Sequence, residues 1–346
     1  MNQKKNKKCI IGLSPMDDIT DLPFRQLCKE FGADLLITEF IASEALNRDA
    51  EKSLRKMRFT PEQRPIGIQI FGADEDELLR CLEVVEQAEP DFIDINWGCP
   101  VRKVAGKGAG SGILQDIPKM LRITTSLVKR AHLPVTVKTR LGYSLPLQSP
   151  LTEGSTFPFQ SPLSEGGKGV YPMITDFAEA LQDTGIAALS IHGRTKTQMY
   201  SGTADWTMIG EVKNNPRIHI PIYGNGDITT AAQAVENKNR YGVDGILIGR
   251  AAIGNPWIFE QCQRALRGEP EREITVAERV DVCRRHLLAA VEFKGERTAI
   301  FEMRKHYGNY FKGLFNFKPF RLALVATTSL DETLALLDRI KEHYTN

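Results

Sequence analysis

No two cysteines in this sequence stand at Cys-x-x-Cys spacing. The six, Cys9, Cys28, Cys81, Cys99, Cys262 and Cys283, are scattered, which argues against a zinc or iron-sulfur centre and, in a chain of this size, against a disulfide framework. No metal site is expected, and a reducing compartment is. Long apolar runs are missing as well. No segment approaches the roughly 20 residues that cross a bilayer, and the run Cys9 to Leu13 behind the basic start is too short for a signal-peptide core. A cytoplasmic location without membrane contact is expected, with the first lysines as an exposed tail. An excess of charge of one sign is also lacking: 45 Lys and Arg stand against 43 Asp and Glu, a net of +2, so any nucleic-acid surface must be a local patch. No Gly-x-Gly-x-x-Gly turn follows the first apolar run, which weakens a dinucleotide-binding doubly wound sheet.

What is present is an alternation of short apolar, β-branched runs with amphipathic stretches. The runs are Cys9 to Leu13, Asp34 to Thr38, Ile66 to Phe71, Phe92 to Ile95, Val135 to Lys138, Ala188 to His192, Ile220 to Tyr223 and Gly245 to Ile248. Several are apolar nearly throughout, as expected of parallel strands covered on both faces. Helical patterns lie between them at Leu22 to Phe31, Glu75 to Ala88, Pro118 to Arg130, Thr175 to Thr184 and Thr230 to Asn237. About eight strand-helix units in about 250 residues predict a (β/α)8 TIM barrel, an α/β fold.

The chemistry-bearing residues follow the strands. Pro15 and Met16 come after the first, Gln69 near the end of the third, and Asn96 to Cys99 after the fourth. Lys138 and Arg140 close the fifth, His192 the sixth, Asn225, Gly226 and Asp227 the seventh, and Gly249 and Arg250 the eighth. Barrels place their chemistry at these carboxyl ends and commonly bind a phosphate after the last two strands. Cys99 has two readings. It is a small packed thiol, inert as most buried cysteines are, or a reactive one on a glycine-rich loop (Gly98, Gly106, Gly108, Gly110, Gly112) that lets backbone approach something bulky and flat. A cofactor beside the thiol would decide for the second. Lys138 reads as a cation inside the cleft or as a strand-end lysine reaching solvent.

Residues 143–172 are rich in Ser, Pro and Gly without periodicity, and their place after the fifth strand predicts a mobile lid or substrate-contacting arm. Beyond Asn255-Pro256 the pattern turns helical: Trp257 to Leu266, Val276 to Phe293, Arg297 to Leu314 and Leu330 to Tyr344, with breaks at Gly268 to Pro270 and Asn316 to Pro319. The expected division is a barrel over 1–255 and a C-terminal helical bundle domain over 256–346. Arg304, Lys305 and Lys312 among Tyr307, Tyr310 and Phe311 suit an RNA backbone and stacked bases, or a solvated helix face.

The set Ser-Pro-Met-Asp-Asp-Ile-Thr-Asp-Leu-Pro-Phe-Arg25, Thr38-Glu39, Gln69, Asp94-Ile-Asn-Trp-Gly-Cys-Pro100, Val137-Lys-Thr-Arg140, Ile191-His-Gly-Arg-Thr195, Gly224-Asn-Gly-Asp-Ile228, Ile248-Gly-Arg250 and Met303-Arg-Lys-His306 resembles the tRNA-dihydrouridine synthases. Ala-Gly-Ser-Gly-Ile-Leu114 leans toward the bacterial B type. The resemblance implies an FMN-binding barrel and a helical tRNA-binding domain, acting as a monomer to reduce the C5=C6 bond of tRNA uridines with NADPH as electron donor. It implies that Pro15, Met16, Gln69, Lys138, His192, Asn225, Gly226, Asp227, Gly249 and Arg250 hold FMN, and that Cys99 gives a proton to C5. Asn96 and Arg140 would line the uracil pocket, with Arg304 and Lys305 on the RNA. Two departures bear on the site: Ser14 where the family more often has Ala, and the bulky Trp97 beside the Cys99 loop, expected to alter how that loop closes. The rival readings are an FMN barrel acting on a free pyrimidine, like a dihydroorotate dehydrogenase, and a non-catalytic RNA-binding module that keeps flavin for stability.

Overall fold

The computed structural model describes residues 8–48, 50–144 and 172–345. Nine strands form one parallel sheet: β1 Ile10–Leu13, β2 Leu36–Ile37, β3 Ile41–Ala42, β4 Ile66–Phe71, β5 Phe92–Trp97, β6 Val135–Arg140, β7 Ala188–His192, β8 Ile222–Asn225 and β9 Gly245–Ile248. Eight of them run in the order β1-β9-β8-β7-β6-β5-β4-β2, and the two-residue β3 pairs with β4 beside β2. Leu13 N donates to Leu35 O at 2.9 Å and Asp34 N to Ile11 O at 2.8 Å, so the ends of the sheet meet and the ring is a TIM barrel. Strands β5 and β6 each run two residues past the apolar stretch that marks them in the sequence, and those added residues are Asn96, Trp97, Thr139 and Arg140.

Several of the helices between the strands start at a side-chain cap. Asp21, Asp74, Asp116 and Asp205 each accept a backbone N–H in the first turn of the helix they precede, and Thr230 with Gln233 forms a capping box. One of these, Trp206–Asn214, is a barrel helix that the sequence pattern leaves unmarked.

The helical region beyond the barrel has its own core, in which Trp257, Cys283, Leu287, Ile300, Tyr307 and Leu337 are buried with Leu27 of the barrel helix Leu22–Glu30. The Trp257–Leu266 helix serves both sides: Ile258, Phe259 and Cys262 join the barrel core, and Trp257 the second one. Phe24 lies against the buried rings of His286 and His306, at 5.4 and 5.1 Å, while Lys294 bridges Asp21 of the barrel and Glu302 of the tail. A further helix, Lys318–Ala326, stands where Asn316 to Pro319 reads as a break, because Pro319 falls in the first turn, where its missing N–H costs nothing. The lid expected over 143–172 and the lysine tail lie almost wholly outside the described residues. No described helix is long and apolar enough to cross a membrane.

Candidate active site

Side chains two apart on a strand share a face, and at the carboxyl half of β5 to β8 the face turned into the barrel is polar. Register sets Asn96 beside Lys138, Lys138 beside Ser190, Arg140 beside His192, and His192 beside Asn225. The alternate residues turn outward. Trp97, fully buried, donates its indole N–H to Thr124 Oγ1 at 3.1 Å on the surrounding Ile117–Arg130 helix. Its ring belongs to the barrel core, whereas Cys99 packs in a separate cluster.

An open cavity of about 1200 Å³ sits over this face. Pro15, Met16, Gln69, Asn96, Cys99, Lys138, Arg140, His192, Asn225, Gly226, Asp227, Gly249 and Arg250 all line it. Arg304 and Lys305 do not. The Arg304 guanidinium covers the Phe301 ring at 4.2 Å and donates to Thr327 O at 3.2 Å, and Lys305 Nζ donates to Asp18 O at 3.0 Å. The tail reaches the cavity instead through Arg279, Asn309 and Lys312.

Cys99 is 7 % exposed, packed near Phe40 and Phe71. Burial pushes its thiol up from the ordinary cysteine range, so it is neutral at pH 7. Its loop is held at each peptide: Asn96 Oδ1 accepts from Gly98 N at 2.9 Å and Cys99 N at 2.8 Å, while Cys99 O accepts from Ser111 N at 3.0 Å and Ser111 Oγ at 2.8 Å. The glycines of this loop answer to that packing. A Cβ on Gly110, whose φ is +52°, would stand 2.9 Å from Cys99 O, and one on Gly112 would stand 2.1 Å from Ala105 O. At these two positions glycine lets backbone pack on backbone; an approach to a flat ligand is not what requires it.

On β6, the strand next to the one that carries the Cys99 loop, Lys138 Nζ donates to Asn225 Oδ1 at 3.1 Å, and Asn225 Nδ2 donates to Leu247 O at 2.7 Å. Burial and then repulsion from Arg140 lower the Lys138 pKa to about 8, with Asp94 opposing. Burial, then Lys138 and Arg140, hold His192 neutral with a pKa of about 2. His192 Nδ1 is buried without a hydrogen-bond partner among the described residues. Beyond it, Gly226 at φ +127° and Asp227 at φ +54° make a left-handed turn. Arg194 grips the Asp227 carboxylate at 2.9 and 2.6 Å, and Arg250 reaches it at 3.2 Å. Burial works against this carboxylate's charge, and the hydrogen bonds from Arg194 and Ala204 outweigh it, leaving its pKa below the usual range.

Arg194, which stands in the Ile191-His-Gly-Arg-Thr195 motif, is a buried clamp that also donates to Ser201 O and Gly202 O at 3.1 and 2.5 Å. Tyr200 carries no local signal in the sequence; it is 53 % exposed on the cavity wall with the guanidinium carbons of Arg140 and Arg250 at 5.8 and 5.3 Å from its ring centre. Both depend on a loop after β7 folding back over the barrel.

The sequence profile of the dihydrouridine synthase family matches residues 12–150 and 169–345. The chain belongs to this family. It is 33% identical over 336 residues to a probable tRNA-dihydrouridine synthase of Rickettsia conorii, covering 96% of this chain and 93% of that one. To tRNA-dihydrouridine synthase B of Xanthomonas axonopodis pv. citri it is 34% identical over 325 residues, covering 94% and 90%. The family match leaves out 151–168, inside the stretch 143–172 expected to form a lid or substrate-contacting arm. Among solved structures, histamine dehydrogenase from Rhizobium sp. 4-9 superposes with a TM-score of 0.53 at 10% identity, over 81% of this chain and 48% of that one, a likeness of fold. The chain is thus an enzyme of the dihydrouridine synthase family on a TIM barrel.

Proposed function

We propose that this chain, as a cytoplasmic monomer, reduces the C5=C6 bond of tRNA uridines to 5,6-dihydrouridine, with FMN in the barrel mouth and NADPH as electron donor. The observation that carries the reading is the cavity's charge. In a chain of net charge +2, its described lining holds Lys52, Lys56, Lys103, Lys138, Arg140, Arg250, Arg279 and Lys312 against only Asp17 and Asp227, with a neutral thiol on one wall. At about 1200 Å³ it exceeds the roughly 300–1,000 Å³ that suits one small ligand, which favours a cofactor together with part of a polyanion over a free pyrimidine.

The residues fit FMN. His192 Nδ1 is a buried polar atom lacking a partner among the described residues, Lys138 has Asn225 as its hydrogen-bond partner in the cavity, and Arg250 is 57% exposed beside the Gly226–Asp227 turn. Pro15, Met16, Gln69, Lys138, His192, Asn225, Gly226, Asp227, Gly249 and Arg250 would hold it. Bound there and reduced by NADPH, FMN supplies the hydride that C6 of uracil accepts. Asn96 and Arg140 hold the base, Arg304, Lys305 and the region 256–346 take the RNA, and the base must leave its stack to enter. As charge builds on the pyrimidine, the Cys99 thiol gives its proton to C5 and is reprotonated from solvent.

Purified protein should be yellow, absorbing near about 450 nm as flavoproteins do. Cys99→Ala should lower dihydrouridine formation about 100-fold or more, the range for a general acid, while FMN and tRNA affinities stay at wild-type values. Retained turnover in Cys99→Ala would rule out its role as the proton donor, and colourless protein that takes up no FMN would rule out the flavin reading.

A further inference from the structure

Below the cavity floor lies a buried carboxylate that the chemistry above leaves unused. Asp94 is 0 % exposed, on β5, two residues before Asn96 and on the same face. Register sets Gln69 of β4 on one side of it and Thr136 of β6 on the other. Asp94 Oδ2 accepts from Gln69 Nε2 at 2.6 Å, and Oδ1 accepts from Thr136 Oγ1 at 2.5 Å. With its NH2 group so engaged, Gln69 turns its carbonyl to Asn96, and Oε1 accepts from Asn96 Nδ2 at 2.9 Å. That leaves Asn96 its carbonyl for the loop, where Oδ1 receives the N–H groups of Gly98 and Cys99.

A primary amide has one donating end and one accepting end, whereas an ionised carboxylate only accepts. Hydrogen-bond polarity therefore passes in one direction along this series. The carboxylate selects the Gln69 orientation, Gln69 selects that of Asn96, and only this Asn96 orientation can receive two backbone N–H groups. Were either amide reversed, two donors would face each other in a buried site, and an unmade buried hydrogen bond is costly.

We propose that Asp94 is a positioning residue, whose carboxylate sets the backbone of the Cys99 loop through the side-chain amides of Gln69 and Asn96. Its catalytic consequence rests on the Cys99 role argued above, but the geometry can be tested without turnover. Asp94→Leu removes the acceptor, whereas Asp94→Asn keeps one for Gln69. Iodoacetamide alkylation of the full-length protein, mapped by peptide mass, reports the loop directly. In Asp94→Leu, Cys99 should react about fivefold to tenfold faster, as expected for losing one buried hydrogen-bond partner, with Cys28 and Cys283 unchanged. Asp94→Asn should stay within about twofold of wild type. Gln69→Met, which breaks the series at its middle, should speed Cys99 as Asp94→Leu does, and the double variant should be no faster than either, because members of one series are not additive. This second variant serves if Asp94→Leu does not fold.

In turnover on tRNA, kcat should fall about tenfold, as for a small misplacement of a reacting group, with KM unchanged. An unchanged Cys99 rate in folded Asp94→Leu or Gln69→Met, an equal acceleration of all cysteines, or additive effects in the double variant would each overturn the inference. Absence of dihydrouridine formation by wild type would instead strike the function proposed above, leaving the alkylation result to judge the relay by itself.

Discussion

Lys138, His192 and Cys99 all line the cavity, and burial drives all three toward the uncharged form. For His192 the outcome is a neutral ring at any working pH. For Lys138 the balance is close, with a pKa of about 8. The ammonium is present below that value and lost as pH rises through it, the opposite of a carboxylate. FMN affinity should therefore fall as pH climbs through about 8, and Lys138→Met should bind weakly with a flat profile. Quenching of flavin fluorescence across pH 6.5 to 9.5, roughly 1.5 units on each side, checks both. A wild-type profile as flat as that of Lys138→Met would dismiss Lys138 as the titrating group.

Among the elements, the connection between the helices Glu296–Tyr310 and Lys318–Ala326 carries the most exposed large hydrophobic side chain of the described residues. Its two ends are anchored by Phe311 and Phe317, 1 % and 8 % exposed with rings 4.9 Å apart, while Phe315 between them is 90 % exposed. The backbone that carries this ring is held in place. Tyr344 OH donates to Phe315 O at 2.7 Å, and Arg279 Nη1 donates to Lys312 O at 3.0 Å. Phe315→Ala should weaken tRNA binding by about 5-fold or more, since a stacked base is worth roughly 1–3 kcal/mol, without lowering the melting temperature. Lys312→Ala should reduce the salt dependence of binding by about one phosphate contact. Filter binding at several salt concentrations reads out both, and wild-type affinity in Phe315→Ala would remove the stacking assignment.

The elements legible in the sequence were those with continuous apolar strands between glycines and prolines, such as Ile66 to Phe71. The Trp206–Asn214 helix was not, because nine residues with Gly210 in their middle are too short to set a clear helical period. Pro319 misled for a positional reason: proline breaks a helix interior but is tolerated in a first turn. In the site, the strand-end residues could be read because the barrel collects strand ends on one face. Tyr200 and Arg279 reach the cavity only through long-range folding, which no local spacing encodes.

Over the whole molecule, the barrel and the tail are joined through shared side chains more than through a linker. A chain ending after Asn255 would strip Ile258, Phe259 and Cys262, each at most 1 % exposed, from the barrel core. At about 2–5 kcal/mol for each large side chain lost, this rivals the roughly 5–15 kcal/mol that holds a domain folded. Such a truncation should be insoluble. One ending after Gly268 should stay soluble and lose tRNA affinity, as fractionation and binding assays would reveal; a soluble, FMN-binding chain ending at Asn255 would contradict this.

Arg140 donates to Gly98 O at 2.8 Å on one side and to Thr195 O and Met199 O at 2.9 and 2.8 Å on the other. One guanidinium thus buttons together the two lips of the mouth that carry Cys99 and Tyr200. Neither lip can swing away alone without leaving a buried cation short of acceptors, so any gaping of this mouth to admit or discharge a nucleotide moves both lips in step.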